Sequence, residues 1–183
     1  MKNLNIMKKL FTIIALVFIT NVTAQQFKIG VKFGLASSSL TEATTTGNYT
    51  TAMLGLQTEY KLKSNFSLGA ELYYTRIGAE NNNTSDYLYL DYLNLPVLAK
   101  FNVSEKFNIH IGPELGFLLS SSANQYNAND FFKSVNFAGV VGVGYNLGKS
   151  FTLDARYHLG LTDISEFIVS KTRLLSISVS YYF

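Results

Sequence analysis

In the last ten residues, LLSISVSYYF (Leu174–Phe183), two kinds of side chain alternate from Leu175 onward. Apolar or aromatic residues occupy every second position from Leu175 to Phe183, and hydroxyl-bearing residues occupy the positions between them. Successive side chains of a β-strand point to opposite faces, so this period of two indicates an extended chain. The segment therefore predicts a strand with one apolar face and one hydroxyl-bearing face, ending on an aromatic ring.

The same alternation recurs throughout the chain, and no long helical pattern accompanies it. Several of the repeated runs have the roughly 9–11 residues that a tilted strand needs to cross a membrane, and the others are slightly longer. They are longer and more regular than the strands of a typical sandwich. The predicted runs are Phe27–Leu35, Met53–Leu62, Phe66–Ile77, Tyr87–Phe101, Phe107–Leu119, Asn136–Leu147, Phe151–Leu161 and Arg173–Phe183.

The connections between these runs alternate in length. Long polar segments cover Ala36–Thr51, Gly78–Asp86, Ser120–Val135 and Thr162–Thr172. Short segments cover Lys63–Asn65, Asn102–Lys106 and Gly148–Ser150. Alternation places all long loops at one end and all tight turns at the other, with both termini on the turn side. This is the layout of an eight-stranded, antiparallel, up-and-down transmembrane β-barrel.

The face opposite the apolar one alternates glycines with isolated charges, as at Gly69 and Glu71. A soluble lipocalin-like barrel, the alternative, would expose this face to water, where Lys, Glu and Thr normally predominate. Small residues beside large ones suit the crowded interior of an eight-stranded barrel. We therefore expect the apolar face to contact outer-membrane lipids. A girdle of aromatic residues at the turn end supports this orientation: Phe27, Phe66, Phe101, Phe107, Phe151 and Phe183.

Two prolines lie inside predicted strands. Pro96 and Pro113 each remove one backbone donor from the ladder of hydrogen bonds. A closed barrel has no free edge for them, so we expect a bulge or a local distortion at these positions. The alternative is that they merely interrupt strands near a rim.

The first 24 residues have the features of a secretory signal. Lys2, Lys8 and Lys9 precede the apolar stretch Leu10–Ile19, and small residues end the segment at Ala24. Its removal lowers the formal net charge of +3 to zero, so no basic patch for nucleic acid is expected. Without cysteine, the exported chain depends on packing and backbone pairing. We expect residues 1–24 to be a signal peptide and residues 25–183 to form one barrel domain.

Four stretches carry a resemblance to a known family: YLNLPVLAKF (Tyr92–Phe101), IGPELGFLLS (Ile111–Ser120), FAGVVGVGYNL (Phe137–Leu147) and LDARYHLGLTDI (Leu153–Ile164). Together with the terminal YYF they resemble the small outer-membrane barrel domain of the PorT type of Bacteroidetes-like bacteria. The resemblance implies an eight-stranded outer-membrane barrel. It also implies that the terminal aromatic, Phe183, is read by the barrel-assembly machinery, so that its deletion harms assembly. Only the namesake of the family is tied to protein secretion.

Charged residues on the inward face are expected to pair inside the lumen. Lys32, Glu71, Glu114 and Arg156 lie near the middle of their strands, whereas Glu59 and Asp154 lie lower, with Lys100. Two further lysines, Lys28 and Lys61, and His110 share that lower level. Buried charges are costly unless they are paired, and the two signs nearly balance. We predict a salt-bridge network that fills the lumen; the alternative is a path for protons or small ions.

Catalytic candidates are few. His110 and His158 are predicted to face inward, and no His or Cys has metal-ligand spacing, so no cofactor or metal is expected. An enzyme of the barrel type would combine His158 with Asp163 and with Ser165 or Ser39 in acyl transfer or lipid hydrolysis.

Long loops on a rigid scaffold commonly carry binding sites. Aromatic residues in two of them are candidate contacts for an extracellular or outer-membrane partner: Tyr126, Phe131, Phe132 and Phe167. Solvated loops without a partner are the alternative. We therefore expect a structural or surface-interaction protein without catalysis, with a secretion accessory as the second hypothesis and a lipid-modifying enzyme as the third.

Overall fold

The computed structural model describes residues 26–40, 48–81, 86–123, 126–127, 132–164 and 171–183. The expected signal peptide, residues 1–24, lies outside the described residues. Among the described residues, no helix is long and apolar enough to cross a membrane.

Eight long antiparallel strands close into a barrel. Each strand pairs with the next along the chain, and the first pairs with the last, so no edge stays open. The eight are β1 (Phe27–Leu40), β2 (Tyr49–Lys63), β3 (Phe66–Asn81), β4 (Asp86–Asn102), β5 (Phe107–Ala123), β7 (Val135–Leu147), β8 (Phe151–Gly160) and β9 (Thr172–Tyr182). A two-residue strand, β6 (Tyr126–Asn127), pairs with the end of β5. The predicted eight-stranded antiparallel barrel is confirmed.

Several strands extend further at the loop end than the alternating pattern indicated. β3 runs to Asn81 rather than Ile77, and β5 runs to Ala123 rather than Leu119. The added residues are mostly small or polar, so they carry no apolar alternation. Backbone pairing nevertheless continues through them, since every buried or half-buried peptide group must find a partner. The first three long loops are correspondingly shorter than predicted, whereas the connection between β8 and β9 keeps its predicted length.

The two faces of the barrel wall have the predicted chemistry. Outward side chains are apolar and well exposed, as for Phe33 (60%) and Ile111 (63%), whereas inward Lys32 and His110 are 1% and 2% exposed. From Leu175 through the end of β9 and on to Phe183 every residue follows the same rule, with the serines buried. This inside-out distribution fits a barrel surrounded by hydrocarbon, where a closed ladder satisfies all backbone groups.

Aromatic rings line the turn end of the wall. Phe66 lies opposite Phe101, and Phe151 lies opposite Tyr181 with ring centroids 5.0 Å apart. The Phe183 ring meets Tyr181 edge to face at 5.3 Å and is 78% exposed. Amphipathic and aromatic rings at this height are typical of the boundary between hydrocarbon and headgroups.

The prolines interrupt the ladder without shifting the register. Between β4 and β5, pairing breaks off between Pro96 and Ala99 and then resumes in the same register. The register shift instead lies between Asp91 and Tyr92. The expected local distortion at Pro96 and Pro113 is therefore present as missing pairs. The bulge lies nearer the loop end.

Candidate functional site

A four-residue ion cluster occupies the middle of the lumen. Lys32 of β1 donates to both carboxylate oxygens of Glu71 of β3, at 2.9 and 2.8 Å. Arg156 of β8 donates to the same two oxygens through its two terminal nitrogens, at 2.7 and 2.9 Å. Asp154 lies 3.9 Å from Lys32 Nζ and 3.5 Å from Arg156 Nη2. Two cations and two anions thus compensate one another across the lumen.

This cluster exists because three strands present charges to one small interior. Alternation turns Lys32, Glu71 and Arg156 inward, and the narrow lumen leaves them 1%, 4% and 2% exposed. Removal of charges from water is costly, and only close pairing with hydrogen bonds offsets it. The bidentate arginine contact also fixes the orientation of the Glu71 carboxylate.

A second charge pair lies toward the turn end. Lys100 of β4 donates to Glu59 of β2 at 3.0 Å and to the hydroxyl of Tyr182 at 3.1 Å. The Tyr182 hydroxyl in turn donates to Glu59 at 3.2 Å. The Glu59 side chain is 20% exposed, so this pair borders water rather than lying fully inside.

A third cluster lies toward the loop end, around Glu114 of β5. Its carboxylate accepts a hydrogen bond from the Tyr73 hydroxyl at 2.6 Å and lies 3.2 Å from Nδ1 of His158. The other ring nitrogen of His158 is 3.1 Å from Ser176 Oγ. Lumen polar groups are therefore arranged in three levels along the barrel axis.

The heights of two residues differ from the expected ones. Glu114 was expected level with Lys32 and Arg156, but it pairs with His158 at the next level. Asp154 was expected lower, with Lys100, but it lies beside Lys32 and Arg156. Neighbouring strands of a barrel are staggered, so equal counts from the turn end do not give equal heights.

Alternation places Tyr73 and Tyr182 on the inward face, but it does not show that their hydroxyls complete these clusters. Tyr73 lies next to Tyr74 in the chain, and only one of the two can face the lumen. The available signal was its spacing of two residues from Glu71, which places both on the inward face. Tyr182 has the same relation to Ser180.

An apolar cap closes the lumen above the Glu114 cluster. It is formed by buried residues of several strands and one residue after β8: Ala36, Met53, Tyr73, Ile77, Leu90, Tyr92, Ile164 and Leu174. Leu118 and Phe132 pack against it. Phe132, expected as an exposed loop contact, is instead half-buried against this cap. The side chain of Tyr126, and all of Phe131 and Phe167, lie outside what the structure describes.

The order Ser176, His158, Glu114 follows the sequence of contacts in a nucleophile, base and acid triad. Ser176 is, however, 1% exposed and lies beneath the apolar cap, which leaves a substrate no access to its hydroxyl. Of the partners expected for His158, Ser165 lies outside the described residues. The hydrogen bonds described for His158 involve neither Asp163 nor Ser39. The described contacts of this cluster are all internal to the lumen.

Among the described residues, no group of three or more His, Asp or Glu side chains could hold a metal ion.

Comparisons with solved structures support the architecture. Ail of Yersinia pestis, solved in complex with the heparin analogue sucrose octasulfate, is 16% identical, with 86% of this chain and 99% of that chain covered and a TM-score of 0.54. Neisserial surface protein A is 17% identical, with 86% and 97% covered and a TM-score of 0.59. At this identity the likeness shows the fold alone. No curated protein matches the chain.

A family model extends the assignment from fold to family. The model described as outer membrane protein beta-barrel domain matches residues 23–166 of the 183-residue chain. The match includes β1 to β8, and with them the central ion cluster, the Lys100–Glu59 pair and most of the cap. The outward apolar face and the compensated lumen agree with it. The chain belongs to the outer membrane protein beta-barrel domain family, and it is an outer-membrane protein.

Proposed function

We propose that this protein is a non-conducting outer-membrane barrel with a structural or surface-interaction role and no catalytic activity. The observation that carries the proposal is the lumen, which is filled by paired charges and closed at the loop end by the apolar cap. In the proposed orientation both termini face the periplasm and the loops face outward, as in other small barrels of this layout.

The surface part of the proposal follows from the scaffold. A closed ladder holds the loop ends rigidly, and loops on such scaffolds are common binding sites. Two structurally similar proteins have names that point to surface roles, an attachment invasion locus protein and a neisserial surface protein. Candidate contacts remain Tyr126, Phe131 and Phe167, with outer-membrane lipids and the barrel-assembly machinery, through Phe183, as the further expected partners.

The filled lumen predicts that the barrel does not conduct ions. The full mature chain, inserted into planar bilayers, should give no stable channel steps under conditions in which a trimeric porin in the same membrane conducts. The reason is that paired charges and buried apolar side chains occupy the lumen over the part of the chain that the structure describes. Reproducible steps of porin size that weaken on Glu114→Ala would contradict the filled lumen, since they would require an open path past that carboxylate.

The loop role predicts a changed set of surface neighbours. Residues 126–131 and 166–169 would be replaced by Gly and Ser of equal length, with Phe132 retained because it packs on the cap. Proteins crosslinked to the barrel on intact cells should then lose at least one partner. The control replaces residues 103–105 of a tight turn. Identical crosslinking profiles for the wild type and the loop variant, with folding verified by gel mobility, would refute the loop role.

An accessory role in protein secretion is the second candidate. It is favoured by the resemblance of Tyr92–Phe101 and Leu153–Ile164 to the PorT type, whose namesake is tied to secretion. A signal peptide over residues 1–24 belongs to both proposals. Secretion genes beside this one on the chromosome would favour the accessory role, because partners of one machine are commonly encoded together.

A further inference from the structure

The lumen is open at the turn end, where it widens into a cavity of about 740 Å³. This volume lies within the roughly 300–1,000 Å³ of typical small-ligand sites. Its floor includes the buried Lys100 and Tyr182 side chains, and its walls come from the lower strands and the three tight turns. We call it the turn-end cavity. Over the described residues, paired charges and the apolar cap occupy the lumen above this floor, so a ligand would enter the cavity from the turn end.

The turn-end cavity carries an excess of positive charge. Lys28, Lys61 and Lys149 line it and are exposed. Within the described part of the chain, the ion pairs involve none of these three lysines. Glu59 is already compensated by Lys100, so among the lining side chains Glu105 is the remaining acidic one. Such a concave, positively charged surface concentrates anions.

The polar lining is suited to hydroxyl groups as well as to charge. Asn65, Asn102 and Asn108 contribute side-chain amides, and serines of the turns, including Ser64 and Ser104, contribute hydroxyls. Amides and hydroxyls both donate and accept hydrogen bonds, as sugar hydroxyls do. Lysines between them would bind carboxylate, phosphate or sulfate groups as point charges.

We propose that the turn-end cavity binds a small anionic saccharide. In the orientation proposed above the turn end faces the periplasm, so the saccharide would come from the periplasm; this assignment rests on that proposal. A phospholipid headgroup offers the same anionic chemistry. Its acyl chains, however, must stay on the outer face of the wall, whereas Lys28 and Lys61 lie on the lumen side. A soluble ligand is therefore the better fit.

Binding is tested with sucrose octasulfate as the probe and uncharged sucrose as the control. The full mature chain would be titrated by calorimetry in micelles of an uncharged detergent. Sucrose octasulfate should bind with an affinity that falls as salt rises, and sucrose should bind far more weakly. The triple variant Lys28→Gln, Lys61→Gln, Lys149→Gln should weaken binding by roughly tenfold or more, as expected for the loss of charge-assisted contacts.

A matched variant distinguishes the effect of the lining lysines on binding from the effect of the net charge of the protein. The control variant Lys63→Gln, Lys106→Gln, Lys133→Gln also removes three positive charges, but from residues that do not line the cavity. It should bind sucrose octasulfate almost as well as the wild type does. Equal weakening in the two triple variants, or no saturable binding by the wild type, would overturn the proposal.

Phosphatidylglycerol added to the micelles tests the lipid alternative. Failure to displace the probe supports a soluble ligand, and full displacement that depends on the three lining lysines would assign the cavity to headgroups instead. Conductance is measured independently of these titrations, so a negative binding result would not contradict the proposal of a filled, non-conducting lumen.

Discussion

Replacement of Glu71 by alanine is expected to lower the free energy of unfolding by about 3–5 kcal/mol, the usual cost of removing one partner of a buried ion pair. Glu71 accepts two hydrogen bonds from Lys32 and two from Arg156. Without it, both cations stay buried with Asp154 as their nearest carboxylate, at 3.9 and 3.5 Å. One excess positive charge then remains in the middle of the lumen.

The measurement is a urea titration of the refolded chain, followed by circular dichroism and by heat-modifiable gel mobility, because the chain contains no tryptophan for fluorescence. Glu59→Ala is the matched control. It also breaks a carboxylate–lysine pair, but its side chain is 20% exposed and water can replace it. Equal losses of stability in the two variants would mean that depth in the lumen does not matter, which would contradict the central cluster as described.

Gly112→Ala is expected to cost about 3 kcal/mol or more, at the upper end of the range for overpacking, or to block barrel formation. A Cβ atom on Gly112 would collide with the backbone carbonyl of Val97 and lie 3.0 Å from the Cα atom of Leu98. This is the point at which Pro96 interrupts the ladder between β4 and β5. Both obstacles are backbone atoms, so relief requires the two strands to separate.

Gly139→Ala provides the control for this prediction. Gly139 lies on β7 opposite Pro113, and a Cβ atom there would meet no other atom within 4 Å. Its free energy of unfolding should therefore stay near the wild-type value or rise slightly, because alanine restricts the unfolded chain. Normal gel mobility and stability for Gly112→Ala would show that β4 and β5 do not approach each other so closely.

The face of the barrel wall on which each charged side chain lies could be predicted from the sequence, but its height along the barrel axis could not. Alternation alone placed Lys32, Glu71 and Arg156 inward, since the period of a strand is a local property. The pairing of Glu114 with His158 depends on stagger between strands that are distant in sequence, and no local pattern records it.

At the loop end, too, local sequence patterns did not predict which side chains pack together. Phe132 was expected to be exposed because it follows a polar segment, yet it packs against the cap. The cap combines residues from five strands with Ile164, and the apolar character of these residues is ordinary in each local segment. Such a cluster becomes visible only when the strands are assembled in register.

The apolar cap has a consequence for how far the long loops can vary in sequence and length. Most of its side chains belong to the barrel strands rather than to the connections between them. The seal therefore does not depend on the identity of most loop residues. Insertions and substitutions in those segments should therefore leave the packing of the cap intact.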